Sequence, residues 1–147
     1  MGRTRKQTAF TLGQRQALDK EIREKFSHSF MSDSKWKKLV DGVVKNHGAF
    51  RYIEFKKISD ARTGVLYIDE NTTYDFDYWQ TGFEGCNSLG GWLLYREIEY
   101  VNFPAEFVDK NAVKTQDLDQ VKQLLDATGK FELVVDRENI KLVCYSK

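Results

Sequence analysis

Glu97 and Glu99, in the stretch YREIEY, have the spacing of a paired-carboxylate site. On a strand, alternate residues share a face, so the two carboxyls would project together about 7 Å apart, within reach of acid–base chemistry. The same alternation also describes a solvated sheet face, with Arg96, Ile98 and Tyr100 turned the other way. A hydrolase built on Glu97 and Glu99 is therefore one reading of the chain. YDFDYW, residues 74–79, offers another kind of chemistry. As a strand it points Tyr74, Phe76 and Tyr78 inward and leaves Asp75, Asp77 and Trp79 on the wet face. With Phe83 and Glu84 in the following loop, and Asp69 and Glu70 before it, these side chains would form an acidic, partly aromatic patch. Such a patch suits a basic protein partner, because charges steer the encounter and a ring anchors it.

Other chemistries find less support. Carboxylates bind Ca²⁺ or Mg²⁺, but DENTTYDFD has neither the spacing nor the glycine of a calcium loop, so no metal is expected. TGFEGCNSLGG, residues 81–91, holds four glycines but no Lys-Ser/Thr after them and no dinucleotide spacing. It reads as a flexible hairpin connection, and no cofactor is expected. Cys86 in that loop would need a base to act as a nucleophile. The two histidines, His28 and His47, both fall in segments that read as helical, and His47 reads as a last-turn residue. Cys144 alternates in register with Ile140 and Leu142 and reads as a core residue. At the other end of the chain, Arg3, Arg5, Lys6 and Arg15, followed by Lys35, Lys37 and Lys38, could meet phosphates. Nucleic-acid binding through this basic segment is a further alternative, although Asp19, Glu21 and Glu24 dilute its field and no helix-turn-helix or RNA-binding signature accompanies it.

The elements that must position these groups are visible in the hydrophobic periodicity. Residues 11–30 read as a helix with Leu12, Ala17, Leu18, Ile22 and Phe26 on one stripe. A second helix covers 34–47, with Ser32, Asp33 and Ser34 as N-cap candidates, Trp36, Leu39, Val40, Val43 and Val44 on one face, and Gly48 as its stop. The period then changes to two. FRYIEFKKI, TGVLYID, TYDFDYW and GWLLYREIEYVNF read as four strands, with DENT as a turn and Pro104 limiting the last. Residues 105–114 read as irregular. TQDLDQVKQLLDATG, residues 115–129, is a helix with Thr115 as N-cap, Gly129 as C′ and a stripe of Leu118, Val121, Leu124 and Leu125. KFELVVD and NIKLVCYS follow as a strand pair across REN. Runs of strands rather than strict alternation with helices predict an α+β fold, with a mostly antiparallel sheet of about five to six strands packed with two to three helices.

Composition sets the outer limits. The chain has 147 residues, enough for one domain with a real core, and 14% of them are aromatic. We expect residues 1–9 to be a flexible basic tail and residues 10–147 to be a single α+β domain. No apolar run approaches a membrane span, no secretory signal is evident, and two separated cysteines form no disulfide framework. A cytoplasmic protein is the expectation. The net charge of +1 is uneven. Residues 1–50 carry eleven Lys/Arg against five Asp/Glu (+6), whereas residues 51–112 carry six against eleven (−5). Such asymmetry bears on partners or on self-association, including a homodimer, rather than on fold.

DSKWKKLVDGVV, LLYREIEYVNFP and the terminal LVCYSK carry a resemblance. From about Ser34 onward the chain resembles a small bacterial domain family of unknown function, which has a Lys-Trp near its start, a Tyr-x-x-Ile-Glu-aromatic strand, a short helix and a C-terminal strand pair. The resemblance implies a bacterial, cytoplasmic protein and lends no catalytic residues. By analogy with small α+β domains that have acidic aromatic faces, it points to an immunity- or antitoxin-like protein. The leading expectation is a non-enzymatic protein-binding domain that uses Asp75, Asp77, Trp79, Phe83 and Glu84.

Overall fold

The computed structural model describes residues 11–147. The expected basic tail of residues 1–9, with Arg3, Arg5 and Lys6, lies outside the described residues. The helices are α1 (Leu12–Lys25), α2 (Asp33–Lys45) and α3 (Leu118–Thr128). The strands are β1 (His28–Ser29), β2 (Ile53–Lys57), β3 (Thr63–Leu66), β4 (Gly82–Phe83), β5 (Leu93–Leu94), β6 (Ile98–Pro104), β7 (Glu106–Asp109), β8 (Ala112–Thr115), β9 (Leu133–Val135), β10 (Asn139–Val143) and β11 (Tyr145–Ser146). Five of them form the central sheet in the order β3-β2-β6-β10-β9, with every neighbouring pair antiparallel. The fold is α+β, as the order of elements predicts.

Period-two patterning builds the sheet's covered face. Ile53 and Phe55 on β2, Val101 and Phe103 on β6, and Ile140 and Leu142 on β10 are all at most 3% exposed. They pack against Trp36, Leu39, Val40 and Val43 of α2 and Val121 and Leu125 of α3, which recur at helical spacing. Ser32 caps α2 by accepting from the Lys35 amide. A smaller cluster joins Leu18 of α1 to Ile58, Trp92 and Leu94, with Ile22 and Phe26 beside it.

Several boundaries differ from the sequence reading. α1 stops at Lys25 and does not run to Phe30, because His28 and Ser29 pair with Ser146 and Tyr145. His28 is therefore a strand residue. The α1 stripe is thin: Leu18 is buried, but Ala17 and Leu12 are exposed. α2 closes on Asn46, whose amide and side chain both reach the Gly42 carbonyl, so Gly48 is not its C′ residue. α3 starts on Asp117, which accepts from the Asp119 and Gln120 amides, while Thr115 belongs to β8. Gly129 ends α3 in an extended conformation. Residues 106–115 are a hairpin, turned by Lys110 and Asn111 at φ 52° and 66°; the primed turn lacks the usual glycine. GWLLYREIEYVNF is not one strand, because a 3₁₀ turn at Tyr95–Glu97 separates β5 from β6.

Gln116, just before α3, ties the layers together. Its Oε1 accepts from the amides of Arg51 (3.0 Å) and Tyr52 (3.3 Å), and its Nε2 donates to the carbonyls of Tyr52 (2.9 Å) and Pro104 (2.7 Å). The side chain is 6% exposed, so Gln116→Ala would strand these backbone groups. We expect a loss of about 2 kcal/mol, read as a lower urea midpoint at unchanged slope.

Candidate functional site

The segment 73–79 is a tight turn, and this corrects its reading as a strand. The Thr73 carbonyl accepts from the amides of Asp77 (2.9 Å), Tyr78 (3.3 Å) and Phe76 (3.4 Å). Across the loop, the Asp75 amide donates to the Tyr78 carbonyl at 2.6 Å. The Asp77 carboxylate closes the turn from the side, accepting from the Thr73 amide at 3.0 Å. Asp75 sits at φ 66°, a left-handed conformation that Asp tolerates better than most residues.

This geometry redistributes the aromatic side chains. Of the three rings expected inside, only Tyr78 is buried, at 4% exposure; Tyr74 is 40% and Phe76 48% exposed. The Tyr78 hydroxyl bonds to Asp41 of α2, and burial together with that carboxylate pushes it well above the ordinary phenol range. The Tyr74 ring lies 5.4 Å from that of Tyr78, and the Lys37 ammonium stands 5.5 Å from the Tyr74 centroid.

The base of the turn is anchored to the core. The Trp79 amide donates to the Gly82 carbonyl (2.7 Å), its carbonyl accepts from the Tyr95 hydroxyl (2.7 Å), and its indole nitrogen donates to Glu84 Oε2 (3.3 Å). The Glu84 amide returns to the Asp77 carbonyl at 3.0 Å. Phe83 is fully buried, edge-on to Tyr95, so it is a core residue and not a partner contact. Asp75 is exposed, and Asp77, Trp79 and Glu84 are half-buried. The structure therefore brings four of the five expected residues to one turn, removes Phe83, and adds Phe76, Tyr74 and Asp41. Nearby, Glu70 is exposed and lies 3.1 Å from His47.

The glycine segment does join β4 to β5. Asn87 pins it, donating to the carbonyls of Gly85 and Gly91 while its own oxygen accepts from the Leu89 amide. Cys86 sits in it at φ 62°, with its thiol 3.8 Å from the Asp77 carbonyl. Cys144 is a core residue whose thiol burial pushes up.

Glu97 and Glu99 do not share a strand face. Glu97 belongs to the 3₁₀ turn and is 1% exposed, 3.3 Å from the Lys57 ammonium; Glu99 lies on the sheet, 3.1 Å from Lys56. Arg15 is half-buried on α1, Lys35 donates to the Phe30 carbonyl, and Lys37 covers Tyr74, so this part of the basic segment is engaged within the fold. Among the described residues no group of three or more His, Cys, Asp or Glu is placed to hold a metal ion, and no helix is long and apolar enough to cross a membrane.

Comparison with protein-family models, with curated proteins and with solved structures finds no match to this chain.

Proposed function

We propose that the protein is a non-enzymatic binding domain that holds a basic protein partner on the turn carrying Asp75, Phe76 and Asp77. An immunity- or antitoxin-like role in a bacterial cytoplasm is its most concrete form. The observation that supports the reading is a hydrophobic ring, Phe76, 48% exposed at the tip of a turn closed by the Thr73 carbonyl and the Asp77 carboxylate. A ring on a pre-set turn loses little conformational freedom when it anchors a partner, and carboxylates on both sides steer cations toward it. The contact of Lys37 with Tyr74 is an internal instance of the interaction that a partner's Lys or Arg would make.

The test is affinity capture with the full chain from nuclease-treated lysate, followed by calorimetric titration of the retained protein against wild type, Phe76→Ala and Asp75→Asn. Phe76→Ala is expected to weaken binding roughly 30-fold, the scale of an interface anchor. Asp75→Asn, which tolerates the same backbone, is expected to weaken binding at low salt and to flatten its salt dependence. Wild-type affinity in both variants would refute the proposal. Loss of all bound material on nuclease treatment would shift it to nucleic-acid binding through the basic N-terminal segment.

A further inference from the structure

The central sheet has two edges, and the chain treats them differently. The β3 edge is covered by the glycine segment. The Tyr67 amide donates to the Cys86 carbonyl (2.7 Å), the Ser88 amide to the Val65 carbonyl (2.9 Å), and the Val65 amide to Ser88 Oγ (2.8 Å). The β9 edge pairs with β10 alone, and no other described residue lies in register beside it. Its backbone direction follows from two bonds: the Val143 amide donates to the Glu132 carbonyl, and the Asp136 amide to the Asn139 carbonyl. Residues 132, 134 and 136 thus turn their backbone groups toward β10. By alternation, Phe131, Leu133 and Val135 turn theirs out of the sheet. The side chains at this edge are apolar, with Val134 56% and Val135 50% exposed. Sheet edges are usually blunted by a proline, a bulge or an inward charge, and LVV has none of these.

We infer that β9 pairs with β9 of a second copy of this chain, antiparallel about a two-fold axis, joining two five-stranded sheets into one. Side-chain charge selects the register. With the axis through Leu133, Leu133 meets its own copy, Phe131 meets Val135, and Lys130 meets Asp136, the last two pairs each occurring twice. The apolar pairs fall on the helix-covered face, where Leu133 lies opposite Leu142 and Val135 opposite Ile140. The Lys130–Asp136 pairs fall on the open face, with opposite charges directly across the ladder. An axis through Val134 sets Glu132 against Asp136, which offsets its Lys130–Glu138 pairs, and an axis through Val135 sets Glu132 against Glu138; of the three, only the Leu133 axis pairs opposite charges with no like-charge clash. In the Leu133 register the outward amide of Val135 donates to the outward carbonyl of Phe131 in the second copy, so the unpaired groups of both edges are satisfied together.

Sedimentation equilibrium of the full chain, from low micromolar to submillimolar concentration, tests this directly. The expected result is a mass rising from monomer to dimer, with the Leu133 and Val135 amides gaining hydrogen-exchange protection over the same range. Val135→Pro removes an outward N–H and spares the bonds to β10; Lys130→Glu sets glutamate against Asp136 twice. Each is expected to weaken the dimer at least tenfold. Lys130 is exposed, so its variant keeps the test readable if the proline disturbs β9. A monomer at every concentration overturns the inference, as does a dimer indifferent to both substitutions. Protection of the two amides that does not vary with concentration also overturns it, because that marks a cover from within one chain.

Discussion

Gly82→Ala is expected to destabilise the protein by about 3 kcal/mol or more, the upper range for forcing extra volume into a packed interior. Gly82 on β4 lies directly opposite Leu94 on β5. A Cβ there would collide with the Leu93 carbonyl oxygen and lie 2.9 Å from Leu94 Cα and 3.0 Å from the Leu93 carbonyl carbon. All three are backbone atoms, so no rotamer change relieves the contact and the two strands must separate. The damage reaches the candidate site, because the Gly82 carbonyl holds the Trp79 amide and the Thr81 carbonyl holds the Tyr95 amide. The variant should therefore lose both urea stability and partner affinity, whereas Phe76→Ala should lose affinity alone. Gly48→Ala is the control: a Cβ there meets nothing within 4 Å, so its change should stay within about 0.5 kcal/mol. A wild-type urea midpoint for Gly82→Ala would show that β4 and β5 do not approach as described.

The parts of the fold that were legible in the sequence are those where one periodicity runs unopposed. Ile53/Phe55, Ile140/Leu142 and the Trp36–Val43 stripe each repeat in a single period, and each is buried as that period requires. Where a period is present but local hydrogen bonds compete with it, the sequence misleads. TYDFDYW alternates as well as any strand, yet the Thr73 carbonyl gathers three amides and Asp75 adopts a positive φ, so the chain turns back on itself. Tyr74 and Phe76 then stand outside, although alternation assigns both rings to the core. LLYREIEY alternates too, but residues 95–97 coil into a 3₁₀ turn, and the Glu97 carbonyl accepts from the Ile58 amide at 2.8 Å beside the bulge between Lys56 and Lys57. The 106–115 hairpin escaped for a different reason: its turn uses Lys110 and Asn111 at positive φ, without the glycine that usually marks such a turn. Phe83 illustrates the converse error, since adjacency to a glycine-rich loop suggests exposure while the chain places the ring at the centre of the core.

Lys57→Met should cost about 3 kcal/mol near neutral pH, and the cost should shrink as the solution is acidified. Glu97 is 1% exposed, and neither of its carboxylate oxygens has a hydrogen-bond donor in good geometry. The Lys57 ammonium, 3.3 Å from Oε1, answers it as a charge. Met keeps a long unbranched side chain and removes only that charge, leaving a buried carboxylate uncompensated, a change of about 3–5 kcal/mol where such pairs are broken. Burial raises the Glu97 pKa above its ordinary 4.5, and Lys57 partly lowers it again. A carboxyl that binds its proton more tightly folded than unfolded contributes least at high pH: stability from this group is complete below about pH 4.5 and falls as pH rises through the folded value. Without Lys57 that folded value rises further, so the gap between variant and wild type widens toward neutrality and closes on acidification. Comparing the two proteins at each pH cancels the titration of every group they share. Glu97→Gln removes the titration itself, so adding Lys57→Met to it should cost much less than Lys57→Met alone, and the coupling is the ion-pair contribution. Urea unfolding of the four proteins near pH 7 and near pH 4.5 measures all of this. A Lys57→Met loss that is the same at both pH values would overturn the titration of Glu97 across this range, and a loss that also persists undiminished in the Glu97→Gln background would mean that Lys57 contributes through its packing and not its charge.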